Sequence, residues 1–443
     1  MGFCSSCGVR SPLVEGLRKT NSSSRGWLYS PIAEPQELSE VVQSDQVRLP
    51  LAFEELNRVL GGGVVPGSLL LMAGEPGIGK STLLLQIADS LSKCGSNILY
   101  ISGEESAQQI KLRSQRLGVS GQGIHILLET DIDRVLEQLE RYKPALALID
   151  SIQALYSEEV SSGPGSVAQV RECTLRLMRW AKKTAIPILL TGHVTKDGTL
   201  AGPRVLEHIV DVVLYLEGDD LNAYRLLQSV KNRFGSTNEV GIFQMGSSGL
   251  EEVKDPSKAF LTDRDRDSVG TAVVPILEGS RPILIEVQAL TSPSLLPAPR
   301  RIANGVDFNR LLMLSAVLSR RVGINLSNQD VIVSVAGGMR IKEPAADVAI
   351  ILAIVSSYRN CPLPSQMVAL GEVGLSGELR NAPQPDRRIT EAARLGFAQC
   401  LVPESSRKSL TSIQGIEPMY VPTVSAALAR CLPSINKPQR KSD

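Results

Sequence analysis

The chain has 443 residues, of which 43% are hydrophobic and 21% are charged, and this composition is typical of a soluble protein with two or three domains. A formal net charge of +1 and an aromatic content of 4% exclude both an overall basic field and a large base-stacking platform. The sequence shows no signal peptide and no uninterrupted apolar run of about 18 residues, so we expect a cytoplasmic protein without a membrane partner.

Changes in composition along the chain predict five segments. The first is polar, rich in serine and carries a cysteine pair, and the last, "NKPQRKSD", is expected to be disordered. Between them lie two α/β domains joined by a stretch that is dense in charge. The expected segments are an N-terminal region at 1–45, a first domain at 46–253, a charged linker at 254–267, a second domain at 268–435 and a tail at 436–443.

The first domain contains short, continuously apolar runs that alternate with helical patterns. Runs of this kind are typical of strands that are buried on both faces, and the alternation favours a mostly parallel sheet with helices on both sides. The predicted strands are 68–73, 97–102, 146–150, 187–193 and 212–216, and "SVKNRFGST" at 229–237 indicates a later strand that ends in a turn.

The segment "GEPGIGKST" at 74–82 matches the phosphate-binding pattern G-x-x-x-x-G-K-[ST], and it lies between an apolar strand and a helix as that motif requires. Its glycines let successive backbone N–H groups point at phosphate oxygens, and the helix N-terminus adds partial positive charge. Lys80 is expected at the β- and γ-phosphates, Ser81 at Mg²⁺ and Thr82 at the α-phosphate. The predicted nucleotide-binding residues are Gly74, Glu75, Pro76, Gly77, Ile78, Gly79, Lys80, Ser81 and Thr82.

Three other strands end in residues that suit nucleotide hydrolysis. Asp150 ends "LALID" and is expected to face Mg²⁺, the role of a Walker B carboxylate. Glu104 and Glu105 follow "LYIS", and we expect Glu104, with Glu105 as the second choice, to hold the attacking water. His193 ends "ILLTGH" and is expected to sense the γ-phosphate. The alternatives are a turn aspartate, glutamates that favour a helix N-terminus, and a structural histidine.

Lys231 and Arg233 stand two residues apart near the end of a strand, where side chains at alternate positions share a face. Two adjacent cations repel unless an anion lies nearby. Because phosphoryl transfer builds negative charge on the γ-phosphate, a cation from outside the phosphate loop commonly assists it. We expect the pair to act across a subunit boundary in a ring; the alternative is a solvated or locally ion-paired strand end.

Taken together, "GEPGIGKST", "YISGEES", "LALIDSIQALY", "LLTGHVTKDGTLAGPRVLEHIVD" and "VKNRFGSTNEVG" closely resemble the bacterial RadA (Sms) DNA-repair proteins, members of the RecA/DnaB-like ATPase superfamily. The resemblance implies a RecA-like ATPase core, a homo-hexameric ring that uses ATP and Mg²⁺, and DNA-dependent branch migration of intermediates made by a RecA-type recombinase. It also implies single-stranded and branched DNA as partners, with Lys196 and Arg204 as candidate DNA contacts. The family's KNRFG motif is Lys231, Asn232, Arg233, Phe234 and Gly235.

The N-terminal cysteines depart from this family's pattern. RadA proteins usually begin with two C-x-x-C pairs that bind zinc, whereas this sequence has only Cys4 and Cys7, which resemble the second pair. A structural zinc site prefers four ligands, so two thiolates form an incomplete site. Either the true start lies upstream of Met1, or the module has been lost.

The second domain resembles the proteolytic domain of Lon-type proteases, which use a Ser–Lys dyad. Here Ala345 stands at the nucleophile's position and Asp386 near that of the lysine, so peptide cleavage is not expected. We expect ring assembly and DNA contact instead, through the pairs Arg300 and Arg301, Arg320 and Arg321, and Arg387 and Arg388; the alternative for each pair is a solvated face. The alternatives to a DNA motor are an ATP-dependent protease and a signalling or clock-type ATPase of the same superfamily.

Overall fold

A computed structural model describes residues 48–193, 203–218, 224–261, 268–296 and 298–432, together with residues 37 and 39. The chain divides into two compact units, Met1–Gln46 and Val47–Asp443. All the elements named below belong to the second unit. The cysteines at positions 4 and 7 and the expected tail lie outside the described residues.

The first sheet has nine strands in the order β3-β2-β4-β5-β1-β6-β7-β8-β9. The six strands from β3 to β6 run parallel, and the last three are joined as antiparallel neighbours. Parallel strands place their carboxyl ends along one edge, which is where ligands bind in such sheets. The strands are β1 Leu69–Gly74, β2 Ile98–Ser102, β3 Ile124–Leu128, β4 Leu146–Asp150, β5 Ile188–His193, β6 Val212–Glu217, β7 Tyr224–Asn232, β8 Val240–Gly246 and β9 Gly249–Glu252.

Helices cover both faces of this sheet, and side chains of one strand alternate between two cores. Leu70 and Met72 of β1 belong to one apolar cluster, whereas Leu69 and Leu71 belong to the cluster on the opposite face. This alternation explains why the strand is apolar at every position. The helices are α1 Glu54–Leu60, α2 Lys80–Lys93, α3 Ala107–Arg116, α4 Ile132–Tyr142, α5 Val167–Thr184 and α6 Pro203–Leu206.

The second sheet has seven strands in the order β12-β13-β11-β10-β14-β17-β18, and a small sheet pairs β15 with β16. Helix α9 has an unbroken apolar run at 348–355 and lies against β10 and β11 at the centre of the core, so its first ten side chains are buried. The elements are α7 Pro256–Leu261, β10 Thr271–Glu278, β11 Arg281–Pro293, β12 Arg301–Asn304, α8 Phe308–Val317, β13 Gln329–Val335, α9 Asp347–Arg359, β14 Met367–Ala369, β15 Glu372–Val373, β16 Leu379–Arg380, α10 Pro385–Arg394, β17 Gln399–Pro403, β18 Glu417–Val421 and α11 Val424–Cys431.

The segment expected to be a charged linker contains α7, whose Phe260 packs edge-on against Tyr224 of β7 with ring centroids 4.7 Å apart. A buried ion pair also joins the parts of the chain that carry the two sheets, since Arg281 Nη1 lies 2.5 Å from Glu55 Oε2. The described residues thus form an α/β protein with a mostly parallel first sheet and a second α/β region packed against it. Within the described ranges, no helix is long and apolar enough to span a membrane.

Candidate nucleotide-binding site

The phosphate loop connects the carboxyl end of β1 to the N-terminus of α2. Gly79 has a φ of 116°, in the left-handed region, and a Cβ atom there would lie 2.8 Å from Cε of Met245. Gly74 is restricted in a different way, because its Cβ would lie 2.6 Å from the Leu216 carbonyl oxygen. Only glycine suits these two positions, since strain at one and a backbone clash at the other exclude any side chain.

Lys80 is buried at the first position of α2, with 4% of its surface exposed. Its ammonium donates hydrogen bonds to the carbonyl oxygens of Gly74 and Glu75, both at 2.9 Å. Burial lowers the pKa of Lys80, while the carboxylates of Asp150 and Glu104 oppose that shift. The ammonium of Lys80, the predicted phosphate-binding cation, therefore lies within the phosphate loop.

Glu104 and His193 lie beside this lysine at the ends of β2 and β5. The His193 ring bridges the other two groups, with Nδ1 3.3 Å from Nζ of Lys80 and Nε2 3.8 Å from Oε2 of Glu104. The hydroxyl of Ser151 donates a short hydrogen bond to Glu104. The pKa of Glu104 is lowered, chiefly by His193 and also by Ser151, so this carboxylate is ionised at neutral pH.

Glu105, the second candidate for holding the attacking water, has a different partner. Its carboxylate forms a two-point ion pair with Arg113 of α3, in which Nη1 lies 2.6 Å from Oε2. Its backbone N–H donates to the hydroxyl of Ser102 at 3.2 Å. The structure therefore brings Glu104, and not Glu105, together with Lys80.

Asp150 lies at the end of β4, between β2 and β5 in the sheet. Its carboxylate accepts a hydrogen bond from the hydroxyl of Tyr100 at Oδ2 and another from the hydroxyl of Thr191 at Oδ1, both at 2.7 Å. Residues of three neighbouring strands thus determine the position of this carboxylate.

Ser81 and Asp150 provide the kind of donors that Mg²⁺ prefers. Ser81 is the second residue of α2 and offers a hydroxyl oxygen, and Asp150 offers carboxylate oxygens, all of which are hard ligands. Among the described residues, no group of three or more His, Cys, Asp or Glu could hold a metal ion. The donor set fits an ion that is shared with a bound nucleotide, as Mg²⁺ is at nucleotide phosphates.

The KNRFG segment lies at the opposite edge of the sheet from the phosphate loop. Lys231 is paired with Val213 in β6, and its ammonium donates to the carbonyl oxygen of Val210 at 2.8 Å and to that of Glu207. Burial lowers the pKa of Lys231, and neighbouring Arg233 lowers it further. Lys231 therefore holds the turn that follows α6.

Asn232 and Phe234 shape the turn after β7. The Asn232 side chain accepts a hydrogen bond from the Phe234 N–H at 2.9 Å, and the Phe234 carbonyl accepts one from Nη2 of Arg48 at 2.7 Å. Gly235 packs against the backbone of Gly61, and a Cβ atom there would lie 3.2 Å from Nδ2 of Asn232. These three members of the motif fix a backbone conformation, and Arg233 is the member whose side chain extends outward.

The side chain of Arg233 is 57% exposed, and its nearest anion is the buried carboxylate of Asp211, with Nε 3.8 Å from Oδ1. Oδ2 of Asp211 also accepts a hydrogen bond from the N–H of Leu69 at 3.0 Å, and it forms an ion pair with Nζ of Lys182 at 2.7 Å. Asp211 was not singled out from the sequence. The signal available in the sequence was its position in "VLEHIVD", directly before the apolar run of β6, which indicates a carboxylate at the amino ends of the parallel strands.

The alignment of Arg233 with the neighbouring strands shows how far it lies from the phosphate loop of its own chain. The N–H of Arg233 bonds to the Asp211 carbonyl, and the N–H of Asp211 bonds to the Leu69 carbonyl, so Arg233 is level with the start of β1. Gly74 lies five residues further along that strand, or about 16 Å at about 3.3 Å per residue. An arginine side chain is too short to span this distance, so Arg233 cannot reach the nucleotide site of its own chain.

The two predicted DNA contacts in the first domain cannot be placed. Lys196 lies outside the described residues, and so does the side chain of Arg204, whose backbone is part of α6. Two of the arginines proposed for DNA contact in the second domain make contacts within the protein. Arg388 is fully buried and forms a two-point ion pair with Glu343 at 2.6 Å, and Arg301 donates to the backbone carbonyls of residues 326 and 329. Arg388 has no exposed surface, so its assignment to DNA contact was wrong, whereas that of Arg301 stays a prediction.

The Lon-like positions contain no dyad. Ala345 is buried, and its carbonyl accepts a hydrogen bond from the N–H of Gly371 at 2.9 Å. Asp386 accepts hydrogen bonds from the backbone N–H and the hydroxyl of Thr411, which lower its pKa. Neither side chain offers a nucleophile or an amine base for peptide cleavage.

Comparisons with known proteins agree with this geometry. A family model described as an AAA domain matches residues 33–199, and one described as subunit ChlI of Mg-chelatase matches residues 305–406. The DNA repair protein RadA of Halalkalibacterium halodurans is 50% identical over 431 residues, which cover 97% of this chain and 94% of that protein. The chain belongs to the RadA family of DNA repair proteins.

Two further RadA proteins match over almost the whole chain. The RadA of Bacillus subtilis is 47% identical and that of Listeria monocytogenes 45% identical, each over 436 residues that cover 98% of this chain and 95% of the relative. The AAA match contains the phosphate loop, Glu104, Asp150 and His193, so the site described above lies in the ATPase part of a RadA-family protein.

Proposed function

We propose that this chain is an ATP hydrolase whose turnover rearranges DNA strands during recombinational repair. The observation that carries the proposal is the convergence of Lys80, Glu104, Asp150 and His193 at the carboxyl edge of four adjacent strands, around a glycine-rich loop. Phosphoryl transfer to water requires a cation, a carboxylate that binds the metal ion, and an ionised carboxylate that orients the attacking water.

The contacts of each side chain suggest its role in the site. Lys80 would exchange the carbonyl oxygens of Gly74 and Glu75 for phosphate oxygens, which are stronger acceptors because they are charged. Glu104, held by Ser151 and ionised at neutral pH, would orient the attacking water. Through its contacts with both Lys80 and Glu104, His193 would respond when the γ-phosphate leaves.

Arg233 is proposed to complete the site of a neighbouring copy in a homo-hexameric ring. Its exposed side chain cannot reach its own phosphate loop, so a role in hydrolysis requires a second subunit. Lys231 has a different role in this proposal, because its ammonium is committed to the carbonyls of Glu207 and Val210. It would anchor the segment that contains the proposed DNA contacts Lys196 and Arg204.

The DNA substrate is proposed from membership of the RadA family. We expect such a motor to bind single-stranded and branched DNA and to have a RecA-type recombinase as its partner. Its expected activity is branch migration that extends heteroduplex. Zinc binding by Cys4 and Cys7 stays a prediction.

The test is to measure ATP hydrolysis by the purified chain alone, with single-stranded DNA and with forked DNA, at about 50 and 200 mM salt. We expect DNA to raise the rate, and the stimulation to fall at the higher salt because phosphate contacts release counterions. Lys80→Ala is the matched inactive control. Equal rates with and without DNA at both salt concentrations would contradict the DNA-dependent part of the proposal and would favour a signalling or clock-type ATPase.

A Lon-type protease is the other function that the domain arrangement suggests. The alanine at position 345 removes the nucleophile that this chemistry requires. Degradation of casein in the presence of ATP, abolished by Lys80→Ala, would be the result that favours it.

A further inference from the structure

The carboxylate of Asp150 is held by two hydroxyl groups that come from opposite sides of its strand. Tyr100 reaches it from β2 and Thr191 from β5, and each donates to a different carboxylate oxygen at 2.7 Å. Register places Ser102 opposite Asp150, so Tyr100 reaches forward from two residues earlier on β2. Tyr100 and Thr191 are both completely buried, and Asp150 is 7% exposed.

These hydroxyls stand where the sheet otherwise buries apolar side chains. Tyr100 belongs to the same apolar cluster as Ile98 and Leu148, and a phenylalanine would bury nearly the same surface without a polar atom. A buried hydroxyl is unfavourable unless it is hydrogen-bonded. The Tyr100 hydroxyl donates to Asp150, and the Thr191 hydroxyl is closer to Asp150, at 2.7 Å, than to its other acceptor, the Ile149 carbonyl oxygen at 3.3 Å.

Two donors restrict the carboxylate more than one donor would. A single hydrogen bond leaves an aspartate free to rotate about its Cβ–Cγ bond, whereas donors at both oxygens fix the plane of the carboxylate. Each oxygen has two lone pairs, so each keeps one that can accept a further bond after the hydroxyl has bonded. The arrangement therefore orients Asp150 without using up its capacity to bind another group.

We propose that Tyr100 and Thr191 are positioning residues that aim Asp150 at the magnesium ion of a bound nucleotide. This inference rests on the proposed function, because it assigns the orientation of the metal-binding carboxylate in that same site. Groups that hydrogen-bond to a metal ligand tune metal affinity by about 10- to 100-fold. A role only in the stability of the sheet would leave magnesium affinity unchanged.

The test is to measure binding of a fluorescent ATP analogue in EDTA and across a magnesium titration, with the wild-type chain, Tyr100→Phe and Thr191→Val. Both substitutions keep the shape of the side chain and remove the donor. We expect affinity in EDTA to stay within about twofold, and the magnesium concentration for half-maximal effect to rise about tenfold in each variant. Thr191→Ser keeps the hydroxyl and should restore the wild-type value, and Tyr142→Phe, at the end of α4, is the control for losing a phenol elsewhere.

The outcomes separate this inference from the function on which it rests. A wild-type magnesium response in both Tyr100→Phe and Thr191→Val would overturn the positioning role while leaving ATP binding intact. If affinity in EDTA fell as much as affinity in magnesium, the hydroxyls would serve the fold and the inference would again be wrong. If the wild-type chain bound no nucleotide under any condition, the proposed function itself would fail.

Discussion

Glu278 provides a quantitative prediction about the junction between the two sheets. It ends β10 and is 8% exposed, and burial is the main reason that its pKa rises from 4.5 to about 7. Glu343 and Glu217 raise this pKa further, whereas Lys342 lowers it. Nζ of Lys342 lies 3.8 Å from Oε2 of Glu217, the last residue of β6. Strand β6 pairs with β1, the strand that leads into the phosphate loop. We expect Glu278→Gln to stabilise the folded protein at high pH.

The sign and size of the effect follow from proton binding. In the unfolded chain Glu278 ionises near its ordinary value of 4.5, whereas the folded protein keeps the proton until about pH 7. The folded state therefore binds more protons between these values, and this carboxyl makes the free energy of unfolding fall as pH rises. At about 1.4 kcal/mol per pKa unit, the full penalty above pH 7 is about 3 kcal/mol, and Gln removes it.

The assay is calorimetric unfolding of the wild-type chain and Glu278→Gln at pH 5, 6, 7 and 8. The two melting temperatures should lie close together at pH 5, and the variant should melt at a progressively higher temperature as pH rises. Glu417→Gln, at an exposed position of β18, is the matched control and should show no such trend. A difference between Glu278→Gln and wild type that is constant from pH 5 to pH 8 would refute the assignment of a raised pKa.

Three further substitutions test the contacts described above. Glu104→Gln should lower the rate of ATP hydrolysis by about 100-fold or more with little loss of ATP binding, while Glu105→Gln should keep most of the rate; the reverse order would contradict the choice between them. Arg233→Ala should fold normally and lose hydrolysis, and mixing it with Lys80→Ala should restore part of the rate if the guanidinium acts across a subunit boundary; no recovery at any ratio would refute that role. Arg388→Met should lower the free energy of unfolding by about 3 kcal/mol or more because it leaves Glu343 unpaired, and an unchanged melting temperature would contradict the buried pair.

Much of the first domain could be predicted from short-range patterns. The apolar runs at 68–73, 97–102, 146–150, 187–193 and 212–216 correspond to β1, β2, β4, β5 and β6 within one or two residues. Their predictability has a physical cause, because a strand buried on both faces needs an apolar side chain at every position. The run "IHILL" of β3 was missed, since this strand at the edge of the sheet leaves Leu128 half exposed and is flanked by polar residues.

The sequence also determined which residues end the strands of the site. Gly74, Asp150 and His193 are the last residues of β1, β4 and β5, and parallel strands bring such ends to one edge. Nothing local distinguishes Glu104 from Glu105. That choice depends on two contacts. Arg113, the seventh residue of α3, pairs with Glu105, and Ser151, which follows β4, donates a hydrogen bond to Glu104.

What the tertiary structure alone decided concerns residues that are far apart in the sequence. The strand order places Tyr100 and Thr191 on either side of Asp150, and the antiparallel turn into β7 carries Arg233 to the amino edge of the sheet, away from its own phosphate loop. The same holds for Arg388, which looked like half of a surface basic pair and is buried against Glu343. A local sequence pattern indicates which side chains need burial. The partners of buried charges and hydroxyls depend instead on strand order and packing, because these bring together atoms separated by 40 residues or more in the sequence.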